Sequence, residues 1–513
     1  MQRNLARRAV FGSVVVVAGM WLVSCAPEAP QASGEIARQP DISPDYAAVT
    51  IPPNIAPLNF RILEEGDAYF IKVHSERGRP IDLFSRTGEV HIPLKPWRAL
   101  LAENRGNSIL LDVCVRNADG TWRRFGRITN TIAAETIDDV LVYRFMKPIY
   151  TWWKDMEIRQ RDLTGYDVSV VLHGRSFGHG CLNCHSFVGN SPDVMTIGLR
   201  SATYGSYTLL ARDGAVGKVG AKWGYTAWHP SGTLAVYSIN KVRQFFQTAG
   251  TEVRDVLDLD SALVCYHVAS QKAMCPEPLS EPNRLETYPA WSPDGRHLYY
   301  CSAPILWQDR DTVPPKDYDQ VRYDLRRIPY EVETDHWGVP ETVLSAEETG
   351  LSILLPRVSP DGRFLLFCMC RYGCFPIYQP SSDLYLMDLA TGEYRKLEVN
   401  SDHSESWHSW SSNSRWIAFS SRRPGGPFTR TYLSYVDERG RAHKPFILPQ
   451  RDPAYYDSLL EAFSVPELIT GPVEAGKTAL AQAARSAPSG VVDIPISGAT
   501  PKAEPSDPWQ QRE

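Results

Sequence analysis

The segment HGRSFGHGCLNCHSF, residues 173–187, crowds reactive side chains into a short stretch. Cys181, Cys184 and His185 fit C-x-x-C-H, in which two thiols bond the vinyl-derived carbons of a haem and the adjacent imidazole ligates its iron. The expectation is covalent haem c with His185 as the proximal ligand. For the opposite face of the iron Met195 is the first choice and His173 the second, and an open sixth position stays an alternative. His179 lies so near Cys181 that reaching that face would strain the loop. The bland alternatives are a disulfide between Cys181 and Cys184 or a redox-active pair, and the latter lacks its βαβ setting. A zinc site would need more ligands, and only Cys368, Cys370 and Cys374, far along the chain, could supply them.

Three other patterns call for chemistry and are weighed against their setting. Residues 174–178 fit G-x-S-x-G with Ser176 as nucleophile, but that motif needs a strand, a strained turn and a helix on a parallel α/β sheet. Nothing in the chain alternates strands and helices in that way. Residues 471–478, GPVEAGKT, match a phosphate-binding loop letter for letter, yet too few residues follow to build a nucleotide fold, so nucleotide binding is rejected. SDHSESWHSW, residues 401–410, gathers Asp402, His403, Glu405, Trp407, His408 and Trp410. It reads first as a packing network and second as a ligand or metal site beside a channel.

The elements that must position these residues are strands. Residues 47–171 alternate polar and apolar side chains in short runs such as DAYFIKVHS and SILLDVCVRN, separated by turns, and predict a β-sandwich-like domain. WRALLAEN and PIYTWWKDMEIRQRDL interrupt it as helical or irregular pieces. Residues 172–195 form the haem-attachment segment. From 196 to 450 a repeat appears: TAWHPSGTLAVYS, PAWSPDGRHLYYCS, PRVSPDGRFLLFCM and HSWSSNSRWIAFSS align without gaps, each followed by a further strand pair. Proline presets φ and glycine takes the position with φ > 0 in the turn between the strands. Four strands recurring at a few tens of residues predict propeller blades, five or six of them, with an incomplete one closed from elsewhere in the chain. RDPAYYDSLLEAF opens a C-terminal packing segment, 451–475, as a short amphipathic helix. The tail, 476–513, is rich in Ala, Ser, Pro and Gly and predicts disorder.

The W-S-P-D-G-R turn followed by DLYLMDLATG resembles the blades of TolB-like propellers over most of residues 195–448. The combination of lipobox, IPPNIAPLNF, CLNCHSF and ESWHSWSSNSRW resembles a group of exported bacterial proteins described as TolB-like or cytochrome c-related. The resemblance implies an all-β architecture and a haem link, and no defined reaction.

The first residues supply a compartment. Residues 1–24 carry a basic start and an apolar core too short to favour a bilayer span, and Leu-Val-Ser-Cys fits a lipobox ending at Cys25. Lipid on Cys25 would anchor the protein, through a flexible tether of residues 25–46, on the periplasmic side of the envelope, with the outer membrane favoured by Ala26. A net charge of −5 offers no basic field for nucleic acid. The whole predicts a membrane-anchored haem c protein that passes single electrons or senses redox state, its propeller docking a redox partner or envelope complex. The alternative is a haem-free interaction scaffold with a Cys181–Cys184 disulfide. A propeller enzyme with a site near His403 and His408 is the third reading.

Overall fold

The computed structural model describes residues 30–147, 155–246, 254–307, 314–423 and 426–487, with the Cys184 side chain outside that description. Nearly every element is a strand. The leader, Cys25 and the last residues of the tail lie outside the described residues. Among the described residues no helix is long and apolar enough to cross a membrane.

The N-terminal region builds a seven-stranded sheet centred on Ser108–Arg116 and a three-stranded sheet of Ile42–Ser43, Phe60–Ile62 and Glu89–Val90. The helix Leu94–Glu103, which WRALLAEN predicts, shares their apolar core. Trp97, Leu100 and Leu101 lie at helical spacing on its buried face, and Trp97 Nε1 donates to the Ile55 carbonyl at 2.9 Å. The tether is shorter than its composition suggests. Gly34–Ile36 pairs in parallel with Trp122–Phe125, so backbone ladder bonds hold a segment with no apolar periodicity.

Among the described residues six blades follow, five of four strands and blade 4 of five. Blade 2 comprises Cys181–Val188, Ser191–Ser201, Gly205–Arg212 and Ala215–Val219, and blades 3 to 6 begin with the inner strands Thr226–Trp228, Arg284–Trp291, Ser352–Val358 and Glu405–Trp410. Blade 1 takes its inner strand, Ala462–Ile469, from the far end of the chain and its outer three from Val140–Met146, Glu157–Asp162 and Val168–His173. The inner strands follow one another round a closed ring, with Ala462–Ile469 between Glu405–Trp410 and Cys181–Val188.

This closure corrects three expected boundaries. Val140–Met146 and Glu157–Asp162 belong to the propeller and not to the N-terminal domain, because Val140–Met146 pairs with the C-terminal strand on one side and with Glu157–Asp162 on the other. Residues 172–195 are no open loop but a short 3-10 turn and the start of blade 2. The segment after Arg451 forms turns and then a strand instead of an amphipathic helix, since its apolar residues meet both neighbouring blades. Lys477–Arg485, placed in the tail, is a helix whose Leu480 and Ala484 bury against blades 1 and 2.

The repeated turn explains its own sequence. In blade 4 Ser292 Oγ accepts from His297 N at 3.0 Å while Asp294 accepts from Arg296 N at 3.0 Å. Blade 5 repeats this with Ser359, Asp361, Arg363 and Phe364, and blade 6 with Ser411, Asn413, Arg415 and Trp416. Gly295 and Gly362 stand at φ 71° and 74°, and in blade 6 Ser414 takes φ 62° instead.

One apolar core joins the N-terminal domain to blades 1 and 6, running from Ile51 and Trp97 to Trp416, Leu433 and Phe463. Asp138 clamps the seam by accepting from Ser412 N at 2.8 Å and from its hydroxyl. Leu468→Ala empties a fully buried position in the closing strand, and it is expected to cost about 2–5 kcal/mol. Urea unfolding followed by tryptophan fluorescence and by far-UV circular dichroism should move as one transition. Two separated transitions would show that the domains do not share that core.

Candidate functional site

Register places the C-x-x-C-H motif. In blade 4 Thr287 pairs with Cys301 and Ala290 with Tyr299, so three residues of the inner strand oppose two of its neighbour. The same bulge recurs at Leu182/His185, Leu354/Arg357, Ser406/Ser409 and Ser464/Glu467. Cys184 and His185 are thus the counterparts of Pro289 and Ala290. The residue after the first member of each pair is left-handed in four blades: Tyr288 (φ 53°), Leu355 (φ 56°), Trp407 (φ 47°) and Val465 (φ 52°). Such a conformation costs a side chain other than glycine about 1–2 kcal/mol, so packing must hold each one in place.

The bulge re-aims two layers of side chains. The Tyr225 ring of blade 3 lies tilted 4.2 Å from Tyr288 of blade 4 and 5.6 Å from Trp407 of blade 6, which stands opposite across the ring. Phe375 joins them at 6.4 Å from Tyr225 and 6.5 Å from Trp407. The Tyr288 hydroxyl donates to the Cys374 carbonyl at 2.6 Å. These rings plug one end of the central channel. The long hairpin of blade 3 reaches over to the loop carrying Phe375, bonding Tyr378 through Arg254 and Tyr372 through Asp255 (2.6 Å).

Two residues further along each inner strand stand His185, Ala227, Ala290, Arg357, Ser409 and Glu467. Arg357 of blade 5 spans past blade 6 to Glu467 of blade 1, Nη2 to Oε1 at 2.6 Å. Trp410 Nε1 donates to the Arg357 carbonyl at 3.1 Å and fixes its strand. Arg144, across the ladder from Ser464, donates to the Ser464 hydroxyl at 3.2 Å, and its Nε has no partner. His185, 2% exposed, feels both guanidiniums, and neither ring nitrogen makes a hydrogen bond of normal geometry. Burial, with Arg144 second, drives its pKa down to about 3, against a weak opposing pull from the Val142 carbonyl. Burial raises the Glu467 carboxyl, and Arg357 opposes that rise. The Arg357 side chain is 37% exposed, so solvent reaches this layer.

The sequence candidates divide. Of the proposed haem ligands with described side chains, His185 reaches the channel layer. The Cys181 thiol turns into the core between blades 1 and 2, 3.6 Å from Met156 Sδ and packed with Phe177 and Leu182. Met195 sits in that same core on the next strand, opposite Phe187 and Ala211. A macrocycle bonded at Cys181 would have to displace this packing, and among the described residues no three His, Cys, Asp or Glu side chains form a metal-binding group. The electron-carrying haem c protein is therefore corrected: the motif is the bulged inner strand of a blade. The disulfide-braced scaffold is corrected too, because Cys181 carries a free thiol. Cys265, Cys275, Cys370 and Cys374 are likewise free.

His173 lies on the outer strand of blade 1, Nε2 3.0 Å from Glu157. Ser176 sits on the 3-10 turn Gly174–Phe177, with no helix behind it to make a nucleophile elbow. In the 401–410 cluster, His408 is satisfied by the Leu366 carbonyl (3.2 Å) and Cys368 Sγ (3.6 Å), and Glu405 by Arg423 at 2.8 Å. That is a packing network, as the first reading had it, although Trp407 and Trp410 also serve the channel. Arg357 carries a signal the repeat could have shown, since PRVSPDG puts arginine where PAWSPDG and TAWHPSG put alanine.

No family model and no curated protein matches the chain. Solved structures similar to it include an oligogalacturonate lyase in complex with manganese, at 11% identity over 78% of this chain and 99% of that one, TM-score 0.33. An oligogalacturonate lyase from Vibrio parahaemolyticus is similar at 10% identity over 79% and 100%, TM-score 0.31. A nidogen/laminin complex is similar at 7% identity over 65% and 100%, TM-score 0.38. Likeness at this level transfers neither ligand nor reaction.

Two buried acids flank the plugged end. Burial raises Asp258, whose Oδ2 accepts from Asn240 Nδ2 at 2.6 Å, to about 7, and raises Glu286 to about 8. A histidine held at about 3 refuses protons the unfolded chain accepts below about 6.5, so it makes stability rise with pH in that window. An acid held at about 7 keeps a proton the unfolded chain loses above about 4, so it makes stability fall as pH rises. Between pH 5 and 6.5, His185→Gln should lower the slope of stability against pH by about 1.4 kcal/mol per unit, and Asp258→Asn should raise it by a similar amount. Urea midpoints across that range check both, and parallel slopes for all three proteins would contradict the assignment.

Proposed function

We propose that the protein is a ligand-binding propeller that takes a small oxyanion, such as a carboxylate or sulfate group, into the open end of its central channel. The observation that carries this reading is the charge beside the channel: Arg357 pairs with the carboxylate of Glu467, while the Arg144 guanidinium bonds the neutral Ser464 hydroxyl. Guanidinium forks bind carboxylate and sulfate oxygens through charge-assisted hydrogen bonds. A ligand oxyanion would take the place of Glu467 on Arg357, and the released carboxyl, already raised by burial, would take up a proton. Binding is then tighter at low pH. The leader and Cys25 support placing this propeller in the cell envelope on a lipid anchor.

Calorimetric titration with malonate and with sulfate tests the site. Binding should weaken from pH 5 to pH 8, and Arg357→Gln should weaken it by tenfold or more at both values. Equal affinity in the variant overturns the reading. The unengaged nitrogens of His185 favour a second one, proton transfer on the bound ligand. Deuterium exchange at the malonate methylene, faster than in buffer and lost in His185→Gln while binding persists, is its expected sign. For the anchor, labelled palmitate should enter the full-length protein and not Cys25→Ala.

A further inference from the structure

A cavity of about 280 Å³ lies at the seam of blade 1 with residues 448–463. Tyr143, Tyr166, Tyr455 and Phe463 supply rings to its wall, and Arg161 lies against it. Arg161 is 2% exposed and gives its N–H groups to neutral oxygens only. Nε donates to the Asp162 carbonyl (3.0 Å), Nη2 to those of Gly165 and Pro449 (both 2.9 Å), and Nη1 to that of Tyr166 (3.0 Å). The remaining bond, from Nη1 to Gln450 Oε1, stretches to 3.5 Å. A buried cation without a bonded carboxylate is costly unless something supplies the counter-charge.

The neighbouring guanidiniums have carboxylate partners where Arg161 bonds none. Arg161 and Arg451 both stand over the Tyr166 ring, at 5.3 and 5.5 Å, and Arg451 Nη2 lies 3.8 Å from Asp167 Oδ1. Arg159 is paired with Glu157 and covers the Phe145 ring at 3.6 Å. The one carboxylate in the lining, Asp452, accepts from Ala454 N at 2.8 Å. Gln450 Nε2 is tied to the Tyr456 hydroxyl at 2.8 Å, so its oxygen is the weakly held partner.

We propose that this cavity binds a small ring-bearing carboxylate, its ring among Tyr143, Tyr166 and Phe463 and its carboxylate replacing Gln450 Oε1 on Arg161. The geometry gives the ligand both halves of its recognition: aromatic walls for a flat apolar ring and a guanidinium lacking an anion. This site is independent of the channel reading, because it shares no residue with it.

The test uses benzoate on the full protein. Benzoate should raise the thermal midpoint in a concentration-dependent way, and benzyl alcohol, which keeps the ring and lacks the charge, should not. Gln450→Glu places a permanent carboxylate on Arg161, so it should raise the midpoint of the free protein and weaken benzoate binding at least tenfold. Val168→Phe narrows the cavity from a side chain that is 44% exposed, leaves Arg161 alone, and should also weaken binding. A benzoate effect that survives both substitutions, or one matched by benzyl alcohol, overturns the proposal. So does the absence of any benzoate effect.

Discussion

In five of the six blades the inner strand carries one residue more than its neighbour needs, and the bulge falls at the same height each time. The extra residue twists the strand, and in four blades it leaves a left-handed residue that packing must hold. That one constraint sets two layers of the channel. Tyr288 and Trp407 turn their rings toward each other from the left-handed position, joined by Tyr225 and Phe375, and the charged Arg357 and Glu467 stand two residues beyond it. Ring closure depends on it as well, because the strand Ala462–Ile469 enters with the same bulge as four of its five counterparts. Pro466, like Pro289 and Pro356, sits where the bulge leaves the ladder, so a residue with no N–H is tolerated inside a buried strand.

Closure from the far end of the chain also couples distant parts of the molecule. The strand Val140–Met146 pairs with Ala462–Ile469 on one side and Glu157–Asp162 on the other, so the N-terminal domain leads straight into blade 1. Residues 448–463 then run back across that seam, where Arg161 collects carbonyls from the loop after Glu157–Asp162 and from Pro449. The seam cavity exists because two chain segments nearly 300 residues apart meet there without filling the space between them.

The blades were legible in the sequence where local chemistry dictates them. The Ser-Pro-Asp-Gly turn caps its own backbone, and alternation follows from one face meeting each neighbouring blade. Two things were not legible. The first blade draws its strands from both ends of the propeller, and SVPELI looks like an inner strand only once TYPAW and LLPRV are known to bulge at proline. The C-x-x-C-H motif misled for a related reason. Spacing along the chain is the same in a haem loop and in a bulged strand, but the bulge sends Cys181 into the blade core and brings His185 within reach of Arg357's charge. Arg144 and Glu467 lay on strands that the repeat does not cover, so no alignment of blades could pair them with His185.

The charge layer is not needed to hold the ring together. Blades 3 and 4 place Ala227 and Ala290 at the positions where blades 5 and 1 place Arg357 and Glu467, and those blades pack as well as the others. A partly buried ion pair adds little stability over apolar side chains of similar size, since desolvation offsets most of its attraction. A second guanidinium whose buried Nε has no partner, and an imidazole without a hydrogen bond of normal geometry, make the layer worse as a structural device. Six apolar residues would have closed the channel at lower cost, as the aromatic plug does one layer away. What the polar layer offers instead is an unbalanced positive charge, open to solvent on one side and walled off on the other, which is the condition for drawing an anion out of water.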